Sequence, residues 1–268
     1  MRWIIGDIHG MRDALEALVN DIHRRDPAAA LFFTGDLINR GPQSRQVVDF
    51  VLGLRNALIV RGNHDDVFDY VLSGQALVPY TREQTAVRML WWFLQEGMDA
   101  TLISYGISEK QIAKFAASPS PEKMADLCET IPAAHRELFR QLPAVINEPD
   151  FFLTHASWPV VRPVANPGLA EQILAEPALT EDLIWTRFKA EDLQVASIWS
   201  KRGFFGHTPV VHYPWTFRNR DNVPIVCPKI VLVDTGMALG PAGRLTAYCV
   251  EEDRFVQIDR SNQILEGP

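Results

Sequence analysis

Short apolar runs alternate with longer stretches in which apolar residues recur every three or four positions. Trp3-Ile4-Ile5 predicts a buried strand ending at Gly6-Asp7. Leu15, Leu18, Val19 and Ile22 then predict a helix over 13–25. Leu31-Phe32-Phe33-Thr34 predicts a second strand, ending at Gly35-Asp36. Val47, Val48, Val51 and Leu52 predict a helix over 44–54, and Leu58-Ile59-Val60 a third strand, ending at Arg61-Gly62-Asn63-His64. Strand and helix in strict alternation argue for an α/β sheet with parallel pairs.

From 65 to about 142 the period is helical, which predicts a helical insertion lying over the sheet. Strands resume at Phe151-Phe152-Leu153-Thr154 and continue at 203–205, 229–233, 245–250 and 255–258, close enough together to predict hairpins. Residues 1–258 are expected to form one domain containing the insertion, and 259–268 a polar tail. No internal repeat and no low-complexity linker interrupts the 268 residues.

Composition narrows the function classes. Apolar residues make up 47% of the chain and charged residues 22%, which is ordinary for a globular protein. The net charge of −7 argues against an extended nucleic-acid surface. Cys128, Cys227 and Cys249 are odd in number and form no C-x-x-C pair, so neither a disulfide framework nor a thiolate zinc site is expected. An acid as early as Asp7 does not fit a secretory leader, and no apolar run reaches the length of a membrane span. A cytoplasmic location without membrane partners is the expectation.

The polar clusters follow the strands. They are Gly6-Asp7-Ile8-His9-Gly10, Gly35-Asp36-Leu37-Ile38-Asn39-Arg40-Gly41, Gly62-Asn63-His64-Asp65, Thr154-His155-Ala156 and Gly206-His207-Thr208. Ligands of open α/β sheets bind at the carboxyl ends of strands, so five such clusters are expected to converge on one rim. Taken singly, an Asp-x-His is loop decoration, a lone histidine is packed or surface, and Gly-Asn-His is a turn. Their co-occurrence in order, four of the five carrying glycine, changes that reading. Imidazole with carboxylate suits divalent transition metals, and Asp36 has two oxygens with which to bridge two ions. Asp7 and Asp36 return only two of the four charges that two divalent ions bring. With Arg40 and Arg61 beside the ligands, the site is expected to attract a phosphate dianion. His23, His135 and His212 lack this context and are expected to be structural or solvent-facing.

These five clusters resemble the phosphoprotein phosphatase branch of the calcineurin-like metallophosphoesterases, and the resemblance runs from about Arg2 to Ile258. It implies a β-sandwich flanked by helices, with a dinuclear centre at the strand ends. The implied first metal site falls on Asp7, His9 and the bridging Asp36, and the second on Asp36, Asn63, His155 and His207. His64 falls on the general acid of a reaction in which a metal-activated water attacks phosphorus. Arg40, Arg61 and, through Ile184-Trp185-Thr186-Arg187, Arg187 fall on phosphate-binding arginines; the alternative for Arg187 is a surface arginine. Ligand type and resemblance together favour two manganese ions, with iron or zinc as alternatives.

One departure matters chemically. Where the family has an aspartate paired with the general-acid histidine, this chain has Asn39, within Asn39-Arg40-Gly41-Pro42. An amide cannot lend negative charge to an imidazole, although the neighbouring Asp65 could compensate. A serine alkoxide needs a proton early in departure, whereas a phosphate, with a second pKa of about 6, leaves readily. Asn39 is therefore expected to favour phosphoanhydrides.

Two substrates compete. The segment 95–106 and Arg187 resemble bacterial and phage-lambda-type serine/threonine protein phosphatases, and a phosphorylated protein is the first expectation. Asn39-Arg40-Gly41-Pro42 is similar to symmetric diadenosine tetraphosphatases, and a nucleotide substrate is the alternative. A non-catalytic phosphate-binding scaffold is the third reading, against which the complete ligand set stands. Tyr80, Trp91, Trp92 and Tyr105 are expected in the core, and 213–218 is the better candidate for substrate contact.

Overall fold

The computed structural model describes residues 1–164, 173, 176–217 and 222–267. Two sheets lie face to face. The six-stranded sheet contains β1 (Arg2–Ile5), β2 (Ala30–Phe33), β3 (Ala57–Ile59), β9 (Arg244–Cys249), β10 (Arg254–Asp259) and β11 (Ile264–Gly267), in the order β11-β10-β9-β1-β2-β3. The five-stranded sheet contains β4 (Val145–Asn147), β5 (Phe151–Thr154), β6 (Arg202–Phe205), β7 (Ile225–Val226) and β8 (Ile230–Leu232), in the order β4-β5-β6-β8-β7. Each sheet contains a parallel run, β1 with β2 and β2 with β3 in one, β5 with β6 and β6 with β8 in the other, while β9 meets β1 antiparallel.

Side chains that alternate across a strand explain three layers of core from so few residues. Ile4, Phe32, Phe151, Leu153, Phe204, Val231 and Tyr248 point between the sheets and form one buried cluster. Their neighbours Trp3, Ile5, Leu31 and Phe33 point the other way, into the cluster beneath α1 (Arg12–Arg25) and α2 (Ser44–Leu52). Phe152, Phe205, Ile230 and Leu232 point into a third cluster on the far side. The chain thus has the β-sandwich flanked by helices, and the α/β class, expected from its sequence.

The insertion begins two residues earlier than the period suggested. α3 (Asn63–Ser73) takes Asn63, His64 and Asp65 as its first residues. It is followed by α4 (Ala86–Phe93), α5 (Asp99–Ser104), α6 (Glu109–Ala117), α7 (Pro121–Cys128) and α8 (Ala133–Gln141). Between α4 and α5 the helix is broken by a π-type kink over Leu94–Met98, in which Gly97 has φ +89°. The cluster beneath α1 and α2 extends through Leu90, Phe93, Phe115 and Phe139 of this insertion. α9 (Pro177–Ile184) lies on the face of the other sheet, with Leu179 and Leu183 in its cluster.

The expected polar tail is a correction: 264–267 is an edge strand, with Ile258 paired to Ile264 and Val256 to Glu266. Asp259 makes the turn, its carboxylate accepting the backbone N–H groups of Ser261 and Gln263. Two short strands, β4 and β7, were not foreseen. Among the described residues no helix is long and apolar enough to cross a membrane.

Candidate metal centre

The parallel strands of both sheets end on the same rim, and each delivers polar side chains there. Asp7 and His9 follow β1, Asp36 follows β2, Asn63 opens α3 after β3, His155 follows β5 and His207 follows β6. All six are buried. His9, Asp36 and His207 hold positive φ angles of 48°, 50° and 64°. Such backbone is uncommon outside glycine, and its clustering at one rim marks a constrained arrangement. At Gly62 a Cβ would lie 2.1 Å from Asp36 Oδ1, so only glycine lets α3 start against that carboxylate.

The ligating atoms converge. Asp36 Oδ2 lies 3.5 Å from His9 Nε2 and 3.5 Å from His155 Nε2. Asn63 Oδ1 lies 3.0 Å from His155 Nε2 and 3.1 Å from His207 Nδ1. Asp7, Asp36 and His155 each place one ligand atom within 4.8 Å of the others, as do His9, Asp36 and His64.

The second ring nitrogens decide what these atoms are. His9 Nδ1 donates to the Ile38 carbonyl at 3.0 Å, His155 Nδ1 to the Thr34 carbonyl at 2.6 Å, and His207 Nε2 to the Trp185 carbonyl at 3.0 Å. A neutral imidazole has one donor and one acceptor nitrogen, so each ring turns a lone pair towards the carboxylate and amide oxygens. The His9 lone pair already meets the Arg40 guanidinium, whereas those of His155 and His207 face the Asn63 oxygen, an arrangement that a cation between them would satisfy. This donor set of nitrogen and oxygen, with each histidine oriented by a backbone carbonyl, fits divalent transition metals.

Electrostatics agree. Burial, then Asp234 and Asp36, push the Asp7 carboxyl well above its usual range. Burial and Asp65 do the same to Asp36. Burial and the neighbouring Arg40 hold His9 well below the usual imidazole range, and burial brings His155 down to about 3. The rings are neutral, and the carboxylates lack the positive charge that burial demands of them. Divalent ions would invert that balance.

His64 stands at the edge of the cluster. Its ring packs edge-on against His9 and Phe93, with centroids 4.9 and 5.2 Å away. The Asn39 amide nitrogen lies 2.7 Å from His64 Nδ1. The amide oxygen accepts the Thr101 hydroxyl at 2.7 Å, and the Asn39 backbone N–H reaches the same hydroxyl at 2.9 Å. Arg40 donates from Nη1 to His9 Nε2 at 2.8 Å, and its Nη2 lies 3.2 Å from His64 Nε2.

A cavity of about 190 Å³ opens above these groups, lined by Asp36, Arg40, Asn63, His64, Arg187 and His207 and walled by Trp92, Phe93, Glu96 and Trp185. Arg40 and Arg187 are exposed side chains on this cavity, and Arg187 reaches the Thr208 hydroxyl at 3.4 Å.

Two expected site residues serve elsewhere. Arg61 is 2% exposed. Its guanidinium pairs with Asp66 at 3.1 Å and Asp69 at 3.0 Å, and donates to the carbonyls of Leu142, Phe139 and Arg140. With its donors spent on α3 and the end of α8, it is a structural strut and not a phosphate clamp. Asp65 does not support His64. Its two oxygens accept the backbone N–H groups of Asp36 at 2.8 Å, Leu37 at 3.1 Å and Gly62 at 3.0 Å, so it shapes the Asp36 loop; burial pushes it up to about 6.

Other residues were missed. Asp234, just after β8, is buried beside Asp7; it accepts the Gly236 N–H at 2.9 Å, and burial pushes it up to about 6. Its place after a strand is the signal that could have found it. Trp91 and Trp92, expected in the core, are 50% and 47% exposed, whereas Tyr105 is buried and Tyr80 half-buried. Of the stretch 213–218, Tyr213 and Pro214 line a separate depression that shares Arg187, and Arg218 lies outside the described residues.

Residues 2–211 match a family model described as calcineurin-like phosphoesterase. The symmetrical bis(5'-nucleosyl)-tetraphosphatase of Nitrosococcus oceani is 47% identical over 64 residues, 24% of this chain and 23% of that protein. The protein of the same name from Coxiella burnetii is 40% identical over 77 residues, 29% of this chain and 26% of that protein. The chain therefore spans about a quarter of the length of the curated relatives it matches. Solved structures share the fold. One is named for a diadenosine tetraphosphatase (TM-score 0.55, 23% identity, 96% of this chain and 92% of that one). Another is a metallophosphoesterase from Sphaerobacter thermophilus (TM-score 0.52, 17% identity, 98% and 89%). A third is a serine/threonine phosphatase from Saccharomyces cerevisiae (TM-score 0.50, 13% identity, 100% and 81%).

Proposed function

The chain belongs to the calcineurin-like phosphoesterase family, and from that premise we propose that it is a metal-dependent hydrolase of phosphoanhydrides, acting on dinucleoside polyphosphates. Asp7, His9 and Asp36 would hold one divalent ion, and Asp36, Asn63, His155 and His207 a second, with manganese as the first choice for a mixed nitrogen and oxygen set. Bound there, the ions supply an activated water and neutralise phosphate charge.

The protein's own groups do the rest. Arg40 and Arg187 stand on the same cavity as the candidate ligands and can grip a phosphate as planar forks, which orients it as well as attracting it. Phe93 and Trp185 wall the cavity, limiting water around the reacting phosphate. His64, on the cavity wall, can hold a proton for the departing oxygen.

The observation that carries the anhydride reading is the Asn39 amide 2.7 Å from His64 Nδ1. An amide is neutral at both ends, so in either orientation His64 Nδ1 lacks an anionic partner; the Asp36 carboxylate, 4.0 Å from the other ring nitrogen, belongs to the candidate metal site. Asp65, the residue able to compensate, is committed to three backbone N–H groups. A histidine so placed suits a leaving group that needs little help, and a nucleotide phosphate is one, whereas a serine or threonine alkoxide is not. The protein phosphatase reading, first in expectation from the sequence, asks more of His64 than its surroundings supply. The tetraphosphatase names of the relatives support the same choice.

The test is kcat/KM for diadenosine tetraphosphate against a phosphothreonine peptide on manganese-loaded protein. A preference for the dinucleotide of at least about tenfold, or ~1.4 kcal/mol in the barrier, is expected. A preference for the peptide would overturn the reading.

A further inference from the structure

Resting on that reading, we propose that the groove leading away from the candidate metal centre is a nucleoside subsite, with Trp92 as the platform on which the base stacks and Glu96 as the acceptor for the ribose hydroxyls. Two cavities adjoin here. The one over the candidate ligands, about 190 Å³, and a second of about 220 Å³ lined by Tyr80, Gln84, Met89 and Glu181, share Trp92 and Trp185 as a common wall. Phosphate grips, a carboxylate, an aromatic face and a polar amide therefore line two neighbouring cavities that meet at Trp92 and Trp185.

Trp92 is available for this because α4 does not need it. The helix is capped by the Thr85 hydroxyl and anchors through Met89, Leu90 and Phe93, all buried. At 100° per residue, that face leaves Trp92 on the flank of the helix, beside the cavities and 47% exposed. A large apolar ring held half in water beside a phosphate site costs solvation unless something covers it, and a nucleobase offers a matching π-face. Stacking of a base on an aromatic side chain is tolerant of base identity and worth a substantial share of nucleotide affinity.

Glu96 gives the second, independent indication. It is exposed on the cavity that Arg40 and Arg187 make positive, where a carboxylate opposes binding of a bare phosphate. A carboxylate in that position is useful if the phosphate carries a sugar, because adjacent hydroxyls both donate and an acidic side chain accepts both. Beyond Trp92, the amide of Gln84 and the carboxylate of Glu181 border the second cavity, where a purine edge with donors and acceptors would lie.

The experiment measures binding and turnover separately. On manganese-loaded protein, calorimetry compares adenosine 5'-(α,β-methylene)diphosphate, which cannot be cleaved at that bridge, with methylenediphosphonate, which lacks the nucleoside. The nucleoside is expected to tighten binding by about tenfold or more. Trp92→Ala should remove most of that advantage, and Trp92→Phe, which keeps a π-face, should retain it. The ratio of kcat/KM for diadenosine tetraphosphate to that for inorganic tetraphosphate should fall in parallel, and Glu96→Gln should lower the same ratio less. Equal affinity for the two diphosphonates, or an advantage that survives Trp92→Ala, overturns the subsite even if the dinucleotide is hydrolysed. A Trp92-dependent advantage in a protein that prefers the phosphopeptide would sustain the subsite and sink the proposed reaction. A phosphopeptide weakened by Trp92→Ala, with no advantage from adenosine, would assign the groove to peptide and overturn the inference.

Discussion

Gly97 and Arg40 meet backbone to backbone. The Arg40 N–H donates to the Gly97 carbonyl at 3.0 Å, and a Cβ on Gly97 would lie 2.3 Å from the Arg40 nitrogen. The kink after α4 thus seats the insertion on the loop that presents Asn39 and Arg40, both at positive φ themselves. Gly97→Ala combines an unfavourable φ of +89°, costing about 1 kcal/mol, with a clash that only movement of Arg40 relieves. The expected result is a modest fall in Tm with a disproportionate rise in KM, read by thermal denaturation and steady-state kinetics. A wild-type KM would show that Arg40 does not depend on this contact.

Asn39→Asp places a carboxylate where an amide now lies 2.7 Å from His64 Nδ1. The charged partner should help His64 release an alkoxide, so turnover of a phosphothreonine peptide should rise relative to diadenosine tetraphosphate. A shift of about tenfold in that ratio is expected, a fraction of the roughly 10²–10⁴-fold that a general acid contributes in full. An unchanged ratio would remove Asn39 as the determinant.

Arg61 and Arg187, both arginines of the sequence motifs, should separate cleanly. Arg61→Leu strands Asp66 and Asp69 in the interior, and loss of one partner from a buried ion pair costs about 3–5 kcal/mol. Denaturant unfolding should register that loss. Arg187→Ala removes an exposed side chain whose one described hydrogen bond is long, so Tm should stay within a degree or two while KM rises about tenfold or more. A large loss of stability in Arg187→Ala would refute this division of labour.

Metal should stabilise as well as activate. Manganese at 100 times its dissociation constant adds about 2.7 kcal/mol to unfolding, because the unfolded chain has no assembled site. Asp36→Asn weakens the one carboxylate shared by both candidate sites. It should lower bound manganese from two ions per chain, by elemental analysis, and shrink the rise in Tm. Two tightly held ions in Asp36→Asn would show that Asp36 does not bridge.

What could be read in the chain was what is local. A strand followed within about five residues by glycine and an acid, amide or histidine is a contiguous signal, and the rim on which Asp7, His9, Asp36, Asn63, His155 and His207 meet follows from parallel strands ending together. Arg40 and Arg61 look alike in sequence, each one or two residues from glycine and near a candidate ligand. What separates them is the Leu142 carbonyl, 81 residues away, which receives Arg61. Asp65 hid for the same reason, since its partners in the Asp36 loop lie 28 and 29 residues earlier. The exposure of Trp92 depends on which face of α4 the core takes, and Leu90 and Phe93 decide that only after packing. Ile264-Leu265 is too short a run to announce a strand without the β10 edge waiting for it.

The candidate ligands come from both sheets: Asp7, His9, Asp36 and Asn63 from one, His155 and His207 from the other. Protein contacts already cross there, with the His207 N–H donating to Asp7 Oδ2 at 2.9 Å over 200 residues of sequence. Ions held among these six side chains would act as a rivet through the two halves of the sandwich, tying together parts of the chain 200 residues apart. To peel the sheets apart, the chain would first have to give up its ions. The same atoms that make the protein a catalyst would then set how slowly it unfolds, and a chelator would shorten its lifetime as well as silence it.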